Sequence, residues 1–367
     1  MSARATTGAR HAFARQAENC RSAGSAFVAA VLEAVDRQIS LAPLSHRLVQ
    51  EWTGDPAAAA LALRVNGALH ALARRGSPRY LAALYAGEHD DFDGAIAEAL
   101  ATEDPFVADW IRYPTQTNEV ARGAAIMSAL MTIAADHAMP FQLLELGSSC
   151  GLNLNLARYA YRLGGVTAGD PDSAVRIEPE WRGPGPPPAA PVAITSAQGV
   201  DLSPLSALNP AHRERLLSFT WADRPARARR LEAAFRIAAV HPPQVHRGDA
   251  RLWLTRRLAE RQPAGVCRVV VHTMFLQYLS DRDRRDVARL LAAAGAGSTA
   301  ERPLVEVGLE WTPDRREVQL RVTRWPQGEP TVLATCHPYG DWVSWRGDSA
   351  LLDDVIGPTR SRGRAVS

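Results

Sequence analysis

The chain contains no lysine, because all 42 residues counted as lysine plus arginine among its 367 residues are arginine. This absence excludes functions that need a lysine amine: pyridoxal Schiff-base chemistry, a lysine-dependent aldolase, a Walker A phosphate loop and a protein-kinase ATP site. The formal net charge is only +3, and no long basic block occurs. We therefore do not expect a nucleic-acid partner.

Cysteines and long apolar runs are also scarce. The chain has four cysteines, widely separated and without a CxxC pair, so we expect neither a disulfide framework nor a metal site. No apolar run is long enough to cross a bilayer, and the N-terminus lacks the apolar segment of a secretory signal. These features predict a cytoplasmic protein without a membrane partner.

The spacing of apolar residues changes near Met139. Before it, alanine- and leucine-rich segments repeat apolar residues every three or four positions, which predicts a helical domain or cap over residues 1–138. From 139 to 367, short apolar strands alternate with helices, and a proline- and glycine-rich insertion occurs near 181–191. This order predicts an α/β fold with a Rossmann-like parallel sheet, and the three consecutive strands at its end predict an antiparallel C-terminal edge.

Two local patterns make predictions that the structure can check directly. Asp55-Pro56 resembles an N-cap followed by proline in the first helical turn, which predicts that a helix starts there. The segment GLNLNLARYAYRLGG, residues 151–165, is predicted to be a helix closed by glycine.

The stretch LLELGSSCGLNLNL, residues 143–156, joins an apolar strand to a glycine turn. Gly147 permits a tight turn, and Gly151 lets the next element start close to a ligand. Because Ser149 replaces the middle glycine of G-x-G-x-x-G, a dinucleotide pyrophosphate is disfavoured. A cofactor without phosphates, such as S-adenosylmethionine (SAM), fits better. We expect it to be held by Glu145, Gly147, Ser148, Gly151 and Asn153.

Acidic residues follow the next two predicted strands. Asp201 in QGVDLSPLS would accept hydrogen bonds from ribose hydroxyls, and Asp249 in VHRGDARLW would bind adenine, with Ala250 beside the ring. Asp170 is a rival for the ribose, since it lies nearer the usual distance of ~20 residues from the glycine turn. A glycine turn, an acid, Gly-Asp-Ala and a buried strand occur here in the order typical of class I SAM-dependent methyltransferases.

The buried strand around VVVHTMF leads to the side where an acceptor would bind. His272 could act as a general base near neutral pH, Tyr278 could face the same cleft, and His337 could close the acceptor pocket. A hydrogen-bonded core histidine, a core tyrosine and an edge-strand turn are the competing interpretations. The Asn/Asp-Pro-Pro-Tyr signature of enzymes that methylate amide or exocyclic nitrogens is absent, so we expect a small-molecule acceptor.

The same turn also matches Gly-x-Ser-x-Gly, the nucleophile elbow of α/β-hydrolases. Ser149 would then be the nucleophile and His337 the base, with Asp249 or Asp281 as the third member. A hydrolase elbow follows several strands, however, whereas the residues before this turn are predicted to be helical. A SAM-binding module without catalysis is the other alternative.

Seven segments together carry a resemblance to a known family: QTNEVARGAAI, ELGSSCGLNLNLARYAY, GVDLSPL, LLSFTWADRPARARRLEAAF, RGDARLWL, VVVHTMFLQYL and HPYGDWVSW. Over nearly its whole length the chain resembles domain of unknown function 2332, a bacterial family with a SAM-methyltransferase-like core. The resemblance implies that fold and cofactor, and it implies no particular reaction. It also favours a substrate-binding role for Asn118, Glu119 and Arg122, for which an ordinary capped helix with an ion pair is the competing account.

Overall fold

The computed structural model describes residues 12–347, and the termini 1–11 and 348–367 lie outside the described part. Contacts divide the chain into two units. The first comprises the described residues up to Asn118 together with Leu205–Phe235, and the second comprises Glu119–Pro204 and the described residues from Arg236 onward. No helix within residues 12–347 is both long and apolar enough to cross a membrane.

The regular elements are numbered in chain order. The helices are α1 (Ala12–Ser22), α2 (Ala26–Gln38), α3 (Pro43–Gln50), α4 (Leu61–Arg74), α5 (Arg79–Ala86), α6 (Phe92–Thr102), α7 (Asp104–Ile111), α8 (Gly123–His137), α9 (Pro210–Ser218), α10 (Pro225–Val240), α11 (Ala250–Ala259) and α12 (Asp281–Gly295). The strands are β1 (Phe141–Leu146), β2 (Ala160–Leu163), β3 (Val166–Gly169), β4 (Arg176–Ile177), β5 (Glu180–Arg182), β6 (Ile194–Asp201), β7 (Gln244–Arg247), β8 (Cys267–Thr273), β9 (Leu304–Trp311), β10 (Val318–Arg324), β11 (Pro330–Cys336) and β12 (Trp342–Trp345).

The first unit is helical, as its apolar spacing predicts. Helix α2 is capped by the Ser25 hydroxyl, which accepts from Val28 N, and it buries Val31, Leu32 and Val35 along one face. The predicted helix start at Asp55 is wrong, because α4 begins only at Leu61. Asp55 instead accepts from Ala57 N within a turn.

The second unit is built on a nine-stranded sheet in the order β5-β12-β11-β10-β9-β8-β1-β6-β7. Strands β7, β6, β1, β8 and β9 run parallel, whereas β9 to β12 are joined antiparallel. The predicted α/β class and antiparallel C-terminal edge are therefore present. Strand β12, which the sequence pattern does not predict, extends that edge and pairs with β5.

Helix α8 belongs to the second unit, where it contacts β9, β10 and β11. The division between the units therefore lies before this helix, and not at residue 138, where the change of apolar spacing placed it. Nearly all of α8 is buried, from Gly123 to Ala134. Apolar spacing in such a helix gives no indication of the element against which it packs.

The predicted helix over residues 151–165 is wrong. A 3-10 helix covers Leu152–Arg158, and the chain then forms the hairpin β2–β3, which makes a small sheet with β4. Gly164 and Gly165 both have positive φ, at 60° and 100°, as a two-residue hairpin turn of type I′ requires. The glycine pair is thus a hairpin signal and not the end of a helix.

The core of the second unit lies beside β8, and a matched pair of valines tests this. Val270 in β8 is 0% exposed and belongs to a cluster with Leu144 and Leu254, whereas Val240 at the end of α10 is 72% exposed. We expect Val270→Ala to lower the free energy of unfolding by roughly 2 kcal/mol through lost burial and a residual cavity. Val240→Ala should leave it nearly unchanged. Equal losses in denaturant titrations would contradict this position of the core.

Candidate functional site

The order of the parallel strands reverses at one point of the sheet, and the carboxyl ends of the strands there are called the crevice. The chain passes from β1 through β6 to β7 on one side and from β8 to β9 on the other, so the order reverses between β1 and β8. In open α/β sheets, ligands bind outside the carboxyl ends of the strands at such a reversal. Leu146 at the end of β1 is in register with His272 in β8. The glycine turn therefore lies at the crevice, as do the residues that follow His272.

The glycine turn is tied to the neighbouring strand by its own backbone. The N–H groups of Gly147 and Ser148 donate to Val200 O at 2.9 and 3.0 Å, and Ser149 N donates to Asp201 Oδ2 at 2.9 Å. Gly147, Ser149 and Gly151 have φ values of 70°, 54° and 75°. These three N–H groups already have protein acceptors, so side chains are the more important source of ligand contacts at this turn.

Glu145 is a buried carboxylate with an incomplete set of partners. Its Oε1 accepts from Asn153 Nδ2 at 3.0 Å, while Glu145 Oε2 and Asn153 Oδ1 are buried without a hydrogen-bond partner. Burial raises the pKa of Glu145 from 4.5 to about 7, against the hydrogen bond from Asn153. Two buried acceptors that lack a donor form a site suited to a cationic N–H group.

Asp201, and not Asp170, lies at the carboxyl edge beside the glycine turn. Asp201 ends β6, and its Oδ1 accepts from Ser203 N at 2.8 Å while its Oδ2 accepts from Ser149 N. Asp170 follows β3 in the small sheet and forms a local turn with Asp172 N. Each Asp201 oxygen retains a second lone pair, so ribose binding remains chemically possible there.

Asp249 follows β7 and caps a helix. Its Oδ1 accepts from Arg251 N at 2.9 Å and Leu252 N at 3.1 Å, which satisfies the first turn of α11, and Ala250 packs partly buried against the core. The Gly-Asp-Ala motif therefore has a structural explanation that does not require adenine. Leu252 in that turn and Leu202 after Asp201 are both exposed apolar side chains.

His272 lies between two carboxylates. Its Nδ1 is 2.8 Å from Glu310 Oε1 and its Nε2 is 3.2 Å from Glu306 Oε1. Burial opposes protonation, but the hydrogen bonds and charges of Glu306 and Glu310 outweigh it and raise the pKa of His272 to about 10. With a proton on each nitrogen, the ring has no lone pair to act as the predicted general base near neutral pH.

Arg122 and His337, two of the remaining predicted residues, lie at a turn that precedes β12. Arg122 Nε donates to Pro338 O at 2.9 Å, and a Cβ on Gly340 would lie 2.6 Å from Ala121 C, so the His337–Gly340 turn packs on the 3-10 helix Val120–Arg122. His337 Nδ1 is 3.2 Å from Asp341 Oδ2.

The other residues of the predicted substrate side have separate surroundings. Glu119 caps the Val120–Arg122 helix, because its Oε1 accepts from Ala121 N at 3.2 Å. Tyr278, after β8, is exposed. Asn118 is buried and ends the first part of the helical unit. No group of three or more potential metal ligands occurs within residues 12–347.

Three residues at the crevice are absent from the sequence predictions: Phe275, Glu306 and Glu310. A Cβ on Gly147 would lie 2.5 Å from Phe275 Cδ2, so the phenyl ring packs directly on the glycine turn. Glu306, Gly308 and Glu310 alternate along β9, and Gly308 is in register with His272. Two glutamates flanking a glycine on one face of an otherwise apolar strand are the signal that could have identified them.

The pKa of Glu145 predicts the direction of a pH effect on stability. A folded-state pKa of about 7 against 4.5 in the unfolded chain means that the folded state binds the proton more tightly. The stabilisation that the protonated Glu145 carboxyl contributes is therefore fully present below pH 4.5, and it is lost as the pH rises through 7. As the pH rises from 4.5 to 8, the free energy of unfolding of the wild type should fall by roughly 2–3 kcal/mol relative to that of Glu145→Gln, whose side chain does not titrate.

Denaturant titrations at both pH values measure this difference, and Glu329→Gln, at an exposed position in the same unit, is the control. A Glu145→Gln variant that follows the wild type across this range would contradict the buried, ionisable carboxylate.

The comparisons with known proteins support the family and no reaction. Residues 10–345 match the family model described as an uncharacterized protein conserved in bacteria (DUF2332). No curated protein and no solved structure matches the chain. The expected family resemblance is confirmed over nearly all of the described residues, and the chain belongs to the family of domain of unknown function 2332.

Proposed function

We propose that the protein binds S-adenosylmethionine and transfers its methyl group to a small-molecule acceptor. The observation that carries the proposal is the pair of buried acceptors, Glu145 Oε2 and Asn153 Oδ1, at the carboxyl end of β1. The methionine end of SAM carries an ammonium group. That group would donate hydrogen bonds to both oxygens, and its positive charge would compensate the charge of the buried carboxylate.

The rest of the crevice supports the same ligand through its order along the sheet. From the Glu145 site, the carboxyl edge leads to Asp201 at the end of β6 and then to Asp249 and Ala250 after β7. Asp201 is proposed to bind the ribose through its remaining lone pairs. Leu202 and Leu252, exposed beside these two acids, would offer apolar contacts to the purine.

The bound cofactor would supply an electrophilic methyl group, so the protein's contribution is to align the acceptor and to exclude water. His272 receives no proton-transfer role in this proposal, because both of its nitrogens are hydrogen-bonded to carboxylates. Tyr278 and His337 remain the proposed acceptor-side groups, with Glu119 and Arg122 next to the His337–Gly340 turn. The acceptor itself is not specified by these contacts.

Calorimetric titration with SAM and S-adenosylhomocysteine tests the proposal. We expect a wild-type Kd of about 1–100 μM, and we expect Asn153→Ala to weaken binding by roughly tenfold, because the buried ammonium loses an acceptor. Asn155→Ala is the matched control, since Asn155 lies on the same 3-10 helix but donates to His241 O.

Absence of binding to folded wild-type protein would refute the proposal. Equal loss of affinity in Asn153→Ala and Asn155→Ala would place the ligand elsewhere. Binding that is lost only in Asn153→Ala, without methyl transfer to any acceptor tried, would favour the non-catalytic SAM-binding module.

One observation favours the hydrolase alternative: Ser149 has a φ of 54°, and a nucleophile elbow holds its serine in such a strained turn. Ser149 N is, however, bound to Asp201, and the turn leads into a 3-10 helix and a hairpin instead of the α-helix of a hydrolase elbow. We expect no labelling by a fluorophosphonate probe. Labelling of wild type that disappears in Ser149→Ala would establish the hydrolase instead.

A further inference from the structure

We propose that Glu306, His272 and Glu310 form a charged clamp that holds the loop after β8 in place, so that Phe275 stays against Gly147 and forms a fixed wall of the crevice. These are positioning residues, which act through the loop. The inference rests on the proposed function only for the identity of the ligand.

Glu310 is the centre of the clamp. Its Oε1 accepts from Phe275 N at 2.9 Å and from Leu276 N at 3.3 Å, in addition to His272 Nδ1 at 2.8 Å. These two amides begin the 3-10 helix Leu276–Tyr278, whose N-cap position is occupied by Phe275. Phenylalanine has no oxygen with which to cap a helix, so a carboxylate from the neighbouring strand does so.

The imidazolium holds that carboxylate in position. His272 Nε2 is bound to Glu306 Oε1 at 3.2 Å, so the ring is fixed from both sides and presents Nδ1–H to Glu310. Gly308 makes room for the ring, because a Cβ there would lie 2.8 Å from His272 Cε1. A buried ionic group of this kind is commonly no more stabilising than an apolar one, which favours a positional role for it here.

The consequence of the clamp lies at the glycine turn. Met274 has a φ of 54° and its N donates to Leu309 O, which turns the chain from β8 towards the crevice. The Phe275 ring then reaches Gly147, where a Cβ would come within 2.5 Å of Cδ2 and where φ is 70°. Because Phe275 occupies the N-cap position, the 3-10 helix has no side-chain cap from its own loop. In its place, the loop presents an aromatic ring that forms a wall of the crevice.

Hydrogen exchange of the whole 367-residue chain tests the clamp without a ligand. In Glu310→Ala, the amides of Phe275 and Leu276 should exchange at least roughly tenfold faster, because they lose a charged acceptor, while the amides of β1 keep their wild-type rates. Glu306→Gln should change these two amides much less, since it leaves Glu310 in place. Glu310→Gln keeps an acceptor oxygen and should restore part of the protection.

Gly308→Ala is a second variant that tests the clamp, because it displaces the His272 ring without removing a charge. If Glu310→Ala does not fold, the exchange rates of Gly308→Ala decide whether the clamp exists. Unchanged exchange of Phe275 and Leu276 in both variants would overturn the clamp. An equal acceleration throughout the second unit would also overturn it, since the three residues would then serve the whole fold.

A binding measurement separates this inference from the proposed function. If wild type binds S-adenosylhomocysteine, Glu310→Ala should weaken that binding by roughly tenfold, because an unfixed loop must be ordered by the ligand. A freed loop with unchanged affinity would overturn its role as a wall of the ligand site. Failure of wild type to bind would remove the proposed ligand, and the exchange rates would still decide the clamp.

Discussion

A carboxylate buried in a central strand is the constraint on which the proposed site depends. Strand β1 is paired on both sides, with β6 and β8, so Glu145 has no route to solvent along the sheet. Desolvation raises its pKa to about 7, although the side-chain hydrogen bonds of Asn153 and Ser148 act in the opposite direction. Such a group weakens the apo protein near neutral pH. The same low polarity strengthens an ion pair once a cation arrives.

The crevice contrasts two ways of burying a carboxylate. Glu145 lies at the end of β1 with one oxygen unpartnered, whereas Glu310 lies near the end of β9 with one oxygen accepting three donors. The second arrangement fixes backbone, because two of its donors are main-chain amides. In the first arrangement, Glu145 Oε2 can still accept a hydrogen bond. A rigid wall beside an unsatisfied acceptor is the combination that a preformed binding site requires.

The sequence predicts the main features of the fold better than it predicts the contacts of the site. Apolar runs located β1 and β8, and consecutive strands indicated the antiparallel edge, since each depends on local spacing. The prediction that Gly164-Gly165 ends a helix is wrong because glycine both ends helices and closes hairpins. The sequence does not predict strand β12, because this strand depends on pairing with β11 and β5, which local spacing does not encode.

The acidic residues at the crevice make contacts that local sequence patterns do not predict. The sequence pattern predicts that Asp249 binds a ligand, whereas in the structure its Oδ1 caps α11, a role that the following helix pattern also allows. The sequence pattern does not predict a role for Glu306 and Glu310, because their partner, His272, lies on another strand, and only the register of β8 with β9 brings them together.

That register also explains why a histidine is suited to this position. The residue at position 272 faces two carboxylates on β9, with Gly308 between them. A protonated imidazole donates one hydrogen bond to each carboxylate. Its flat ring fits because Gly308 has no Cβ to clash with it. The identity of His272 is therefore accounted for by its neighbours on β9 and requires no catalytic proton transfer. Under the proposed function, the reactive methyl group would come from the bound cofactor, and any proton transfer would fall to the proposed groups on the acceptor side.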